Sequence, residues 1–168
     1  MIDWEGILAR DGPAAWRTAW RVLGNRADAD EVLQEAFVCA VEFARKHPVP
    51  YWRGLLQRLA TARAVDRLRQ KVRRRGREDP LPHEHPPARD AMPPEQAQDA
   101  ELSAMLRTAL ADINPEQAEV FCLFHLEGWS YPEIAKHLAV STDVVGVRLH
   151  RARGRLRELL HAINEVSS

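Results

Sequence analysis

The sequence predicts an all-α protein of two small helical domains joined by a flexible, proline-rich linker, the second domain containing a helix-turn-helix. Three observations carry that expectation. Apolar residues recur at i, i+3, i+4 and i+7 in one segment after another, the period of a helix face. Capping residues open several of these segments, where the first backbone amides of a helix need acceptors. Residues 76–100 hold six of the eleven prolines and no sizeable apolar pattern, which reads as a linker. The expected boundaries are 1–77 for the first domain, 78–94 for the linker and 95–168 for the second domain.

In the first half, Trp16, Ala19, Trp20 and Leu23 form the stripe of a helix over residues 13–23, with the tryptophan pair placed in the core, and Gly24-Asn25 ends it. Asp28 caps the next helix with Glu31 completing the box. That helix buries Leu33, Ala36, Phe37, Ala40, Val41 and Ala44, and its other face carries Glu31, Gln34, Glu35 and Glu42. Such an acidic strip is either a solvated face or a docking surface for a basic partner. His47-Pro-Val-Pro50 breaks the helix, since proline removes a donor and restrains its predecessor. A third helix follows from about Tyr51. Its stripe of Trp52, Leu55, Leu56 and Leu59 gives way to Val65, Leu68 and Val72 half a turn round. Either the helix breaks near 61–63 or it packs on different neighbours along its length.

In the second half, Leu102, Leu106, Ala109, Leu110 and Ile113 form one stripe from about Glu95. Asn114, Pro115 and Gln117 open a helix whose core residues are Val120, Phe121 and Phe124, and Gly128 ends it. Ser130 and Glu133 make a capping box before Ile134, Ala135 and Leu138. Ser141 then caps a long run with Val145, Leu149, Ala152, Leu156 and Leu159 inward. Arg148, Arg151 and Arg155 share an adjacent strip. A short helix, a tight turn and a long helix carrying cations near its start match helix-turn-helix geometry. A surface hairpin with solvated arginines has the same spacing; the distribution of charge favours DNA binding.

The formal net charge is zero, yet residues 51–77 carry ten Lys/Arg against one acid and residues 141–168 five against three. Residues 78–140 carry twelve acids against three bases. Two basic patches in an otherwise acidic chain are footprints that grip phosphates. Arg63, Arg67, Arg69, Lys71, Arg73 and Arg74 crowd the end of the third helix with few acids beside them there, which favours an external polyanion. Cys39 and Cys122 lack a CxxC partner and are expected as buried reduced thiols. Cys122 and His125 lie one turn apart without a third catalytic group, so they are read as packing residues. His83 and His85 lack further ligands at metal spacing, so no metal site is expected. No apolar run reaches the roughly 20 residues of a membrane span, and no signal-peptide pattern opens the chain; a cytoplasmic protein without membrane contact is expected.

These residues resemble the extracytoplasmic-function sigma factors, the small two-domain branch of the bacterial sigma-70 family. The resemblance runs from about Arg10 to Leu160. It rests on DADEVLQEAF with a downstream AVDRLR, and on PEQAEVFCLFHLEGWSYPEIAKHLAVS followed by RLHRARGRLREL. It implies that Asp28, Glu31, Gln34 and Glu35 dock on the clamp helices of core RNA polymerase. The helix from Trp52 would open and read the −10 element, and the 130–155 segment would read the −35 element. The usual Asn of the −10 helix is replaced at Ala60-Thr61-Ala62, and the usual Thr-Val-Lys-Ser-Arg of the recognition helix appears as Val144-Val145-Gly146-Val147-Arg148. Losing Lys and Ser removes two polar contacts, and Gly146 weakens the helix by about 1 kcal/mol relative to Ala. Base reading then falls to Thr142, Asp143, His150 and Arg151, with Arg148 and Arg153 on phosphates.

The function expected is a non-catalytic sigma factor, without cofactor, that binds core RNA polymerase and directs it to promoters. Its partners would be the polymerase, double-stranded promoter DNA, the melted −10 strand and an anti-sigma protein. The alternatives are a stand-alone helix-turn-helix regulator, which would need a dimerisation seam not visible here, and a decoy that binds polymerase but not DNA.

Overall fold

The computed structural model describes residues 1–77 and 94–167; the expected linker up to residue 93, with His83 and His85, lies outside them. Seven helices make up the described residues: α1 (Trp4–Leu23), α2 (Arg26–Ala44), α3 (Trp52–Arg77), α4 (Pro94–Asp112), α5 (Pro115–His125), α6 (Tyr131–Leu138) and α7 (Thr142–Ser167). None is long and apolar enough to cross a membrane.

The caps explain most of the boundaries. Asn114 accepts from the amides of Glu116 and Gln117, Ser130 from Glu133, and Ser141 from Val144. Gly24 closes α1 at φ +64°, donating its N–H to Trp20, a left-handed position that glycine takes without steric cost. Two starts differ from expectation. Helix α1 begins nine residues before Pro13, where Asp3 accepts from the Gly6 amide at 2.9 Å. The extra turns are held by buried Ile7 and by Trp4, whose ring packs edge-on against Phe37 and Trp52. Helix α2 is capped by Asn25, which accepts from the Asp28 amide, so Asp28 lies inside the first turn.

Helix α3 runs unbroken for 26 residues and packs against α1, α2, α4 and α5, with a lighter contact to α6. Its two stripes therefore serve different neighbours. Ala60, Thr61 and Ala64 are fully buried between them, and the Thr61 hydroxyl bonds back to the Gln57 carbonyl at 2.8 Å. The main core joins α1, α2 and α3 to Ala109, Leu110 and Ile113, to Ala118 and Cys122 of α5, and to Ala152 and Leu156 of α7. A smaller core of Val120, Leu123, Trp129, Ile134, Ala135, Val145 and Leu149 lies beneath the α6–α7 turn.

The tryptophan pair divides: Trp16 is partly buried and packs against the main core, whereas Trp20 faces solvent. The rings of Trp16 and Trp20 are parallel, 6.5 Å apart, and Trp20 is 48% exposed. Ala15 and Ala19 take the inward positions, because small side chains let α1 lie close on α3. Cys122 is buried as expected, whereas Cys39 is only partly so.

Polar contacts tie the two halves together. The Glu127 carboxylate accepts from Arg21 at 3.1 and 3.2 Å and from Gln57 at 3.1 Å. Arg69 donates to the Ile113 carbonyl at 2.7 Å and Arg107 to the Val22 carbonyl at 3.1 Å. Gly54 of α3 permits close approach of α6: a Cβ there would stand 2.6 Å from the His137 ring. A core shared in this way is expected to unfold as a unit. Leu56→Ala, at a fully buried position, is expected to lower stability by about 2–5 kcal/mol. Urea unfolding followed by circular dichroism should show one transition displaced as a whole, with both halves lost together.

Candidate nucleic-acid interface

Two surfaces carry the charge that the sequence singled out. On the first, α2 and α3 lie side by side and the acidic strip faces the cations. Arg67 pairs with Glu31, with Glu35 at 2.6 Å and with Asp28 at 3.7 Å, and Lys71 pairs with Asp28. Burial would lower the pKa of Arg67; the bonds and charges of Glu31 and Glu35 outweigh it and hold the guanidinium above its ordinary value. Asp28, Glu31 and Glu35 are thus brought together with Arg67 and Lys71, while Gln34 stands exposed beside them. The lack of acids noted along α3 holds within that helix but not across to α2.

The other cations of α3 diverge. Arg63 donates to the Cys39 sulfur at 3.1 Å, a contact that raises its pKa. Arg69 turns inward to the Ile113 carbonyl. Arg73 and Arg74 are exposed on the last turns. The six residues expected to act together therefore fall into three settings: Arg67 and Lys71 ion-paired, Arg63 and Arg69 bonded elsewhere, Arg73 and Arg74 in solvent.

On the second surface, α6 and α7 are joined by a tight turn through Ala139, which adopts φ +54°. Val145, Leu149, Ala152 and Leu156 are buried, as their spacing predicts, so the opposite face of α7 stands free. Thr142, Asp143, His150 and Arg151 are exposed and border one shallow groove together with Tyr131, Gly146 and Val147. Arg148 lies to one side, 3.2 Å from Glu116. Arg153 turns onto α5, donating to His125 Nε2 at 3.1 Å and lying over the Phe124 ring. The four residues expected to read bases thus share a rim, and the two expected on phosphates, Arg148 and Arg153, lie off it. Tyr131 and Val147 were not among the expected DNA contacts; the exposure of Val147 follows from its place off the Val145–Leu149 stripe.

The sequence matches the model of Sigma-70, region 4, over residues 103–156. It is 30% identical to the RNA polymerase sigma-E factor of Streptomyces avermitilis over 166 residues, covering 96% of this chain and 87% of that protein. The chain belongs to the extracytoplasmic-function sigma factors. It is also 31% identical over 160 residues to the ECF RNA polymerase sigma factor SigE of Mycolicibacterium smegmatis, covering 95% of this chain and 62% of that longer protein. Among solved structures the fold is similar to CnrH in complex with the cytosolic domain of CnrY, with 24% identity and a TM-score of 0.57 over 95% of this chain and 88% of that one.

Between the two surfaces of this sigma factor lies a partly buried polar seam. Glu119 of α5 faces Arg58 and Asp66 of α3 and Arg148 of α7, and its carboxyl is pushed up to about 7. Burial is the main cause; Asp66 and Glu116 act in the same direction, and Arg58 and Arg148 oppose it. Arg58 Nε is buried without a hydrogen bond. His137 is shifted down by burial and by Arg58 and Lys136. Cys122, fully buried, is pushed up to about 12, which removes it as a nucleophile at neutral pH. Among the described residues no group of three or more His, Cys, Asp or Glu is arranged to hold a metal.

The seam predicts a pH dependence. The folded-state pKa of Glu119 lies above its unfolded value of about 4.3, so the folded protein holds the proton through that interval. This group's contribution is complete below the unfolded pKa and is lost as pH rises through about 7. Glu119→Gln should abolish its part of the decline in stability between about pH 4.5 and about pH 7, measured as chemical denaturation midpoints at each pH.

Proposed function

We propose that this sigma factor binds core RNA polymerase through the α2 strip of Asp28, Glu31, Gln34 and Glu35, and reads promoter DNA with both halves. The first half, residues 1–77, meets the −10 element through Arg63, Arg67, Arg69, Lys71, Arg73 and Arg74 of α3. The second, residues 95–168, meets the −35 element through Thr142, Asp143, Arg148, His150, Arg151 and Arg153 of α7. Residues 78–94 connect them. The protein acts in the cytoplasm, performs no catalysis of its own, and an anti-sigma protein is a fitting regulator of it.

The observation that carries this reading is the free face of α7, which rises from a tight turn with Thr142, Asp143, His150 and Arg151 outward over an apolar core. A helix so presented fits the major groove, where base edges are distinguishable. The ion pairs between α2 and α3 give the reading a mechanism. Arg67 and Lys71 are satisfied by Asp28, Glu31 and Glu35 in the free chain. When a basic polymerase surface takes up those carboxylates, it frees Arg67 and Lys71 to meet phosphate. Polymerase binding and DNA binding are then linked through one set of partly buried ion pairs at the surface of α2 and α3.

The test is a titration of labelled protein with core RNA polymerase at physiological salt. The intact chain is expected to bind one to one. Glu31→Lys with Glu35→Lys is expected to weaken binding at least tenfold while thermal melting still shows a folded protein. Equal binding by the double variant would remove the strip from the interface. Failure of the intact chain to bind, together with a stable dimer on a palindromic DNA site, would favour the stand-alone regulator.

A further inference from the structure

The recognition helix departs from a polar DNA-reading surface at one place. Val147 is 48% exposed and Val144 37% exposed, on a face that otherwise carries Asp143, His150 and Arg151. Packing does not account for them, since α7 meets its core through Val145 and Leu149. Beside Val147 the helix carries no side chain at Gly146. A Cβ built there would stand 3.5 Å from Tyr131 Cε2, an ordinary contact, so close approach of backbone does not require this glycine. At this place lies a shallow groove of about 660 Å³ lined by Gly146, Tyr131, Thr142, Asp143, Val147, His150 and Arg151.

The composition of the groove selects its ligand. Asp143 on the rim repels a phosphate. The same carboxylate can accept from the exocyclic amine of a base, and His150 and Arg151 can approach acceptors on base edges. Apart from the Tyr131 hydroxyl, the wall of Val147 and the Tyr131 ring is apolar and makes no hydrogen bond to these groups. In the major groove only one base edge carries an apolar group, the C5-methyl of thymine.

We propose that the groove over Gly146, between Tyr131 and Val147, is a methyl-reading subsite that takes the C5-methyl of a thymine in the upstream promoter element. This rests on the reading of α7 as the helix that enters the major groove. The subsite replaces polar readout by apolar burial at the two positions where the family pattern is lost, and it makes one thymine a fixed feature of the promoter. Val147 is its specificity-determining residue, and the missing side chain at Gly146 makes the room.

The experiment uses the chain assembled with core RNA polymerase. Promoters are selected from a library randomised in the upstream element, and each enriched thymine is then replaced singly by deoxyuridine, which removes only the methyl group. Binding should fall about fourfold at one position, the factor that corresponds to burying one methyl. That penalty should vanish in Val147→Ala. It should vanish also in Gly146→Ala, which strengthens the helix while it fills the groove, so loss of folding cannot explain the result. A selected element without thymine, uracil tolerated at every position, or a penalty retained in both variants would overturn the subsite. No enriched upstream element at all would overturn the reading of α7 itself, and the subsite with it.

Discussion

The structure depends on the burial of α3 along most of its length. Nine of its residues from Gly54 to Leu68 are buried, and four other helices pack closely on it while α6 touches it more lightly. A helix with one apolar stripe can serve one neighbour. In this one the apolar stripe shifts around the fully buried Ala60, Thr61 and Ala64, and α1, α2, α4 and α5 all pack on it. The exposed remainder of α3 can therefore be polar and basic without cost to the core. The same helix is thus scaffold for both halves and bearer of the cations proposed to meet DNA.

Charge follows from that placement. Because α2 lies along α3, its carboxylates at Asp28, Glu31 and Glu35 fall opposite Arg67 and Lys71. The zero net charge of the chain is in part this local neutrality, made between helices rather than along them. Pairs of this kind, still reached by solvent, contribute modestly to folding. Their consequence lies in exchange of partners, since each carboxylate and each cation has an external competitor of the right sign. The contacts between halves are of another sort. Glu127 sits nearly buried between Arg21 and Gln57, and the carboxyl of Glu119 is pushed up to about 7, chiefly by burial. These groups bear on the packing of the halves rather than on any partner.

Much of this was legible in the sequence, for local reasons. Asn114, Ser130 and Ser141 act as caps because side-chain oxygens satisfy amides within three residues. The α7 stripe of Val145, Leu149, Ala152 and Leu156 is buried throughout, so four exposed reading residues fall on its free face. What was not legible depended on other elements. Trp20 looked inward by hydrophobicity, but Ala15 and Ala19 take the fully buried positions of α1; the Trp20 ring stands half exposed and Trp16 reaches the core only in part. Asn25 displaced Asp28 as the cap, which left Asp28 free to meet Lys71. The spacing of Asp28, Glu31 and Glu35, and of Arg67 and Lys71, marks two helix faces; only the packing of α2 on α3 shows that they oppose each other. Arg153 likewise turned from the DNA-facing side to His125 and Phe124, a choice that one helix cannot reveal.

The most direct test of the central claim is run-off transcription by bacterial core RNA polymerase, with and without this chain, on a pooled library of promoter fragments. The account predicts transcripts from discrete start sites only when the chain is present, and their loss when the −10 or −35 spacing of an active fragment is altered. Transcription unchanged by the chain, while the chain binds specific DNA by itself, would contradict it.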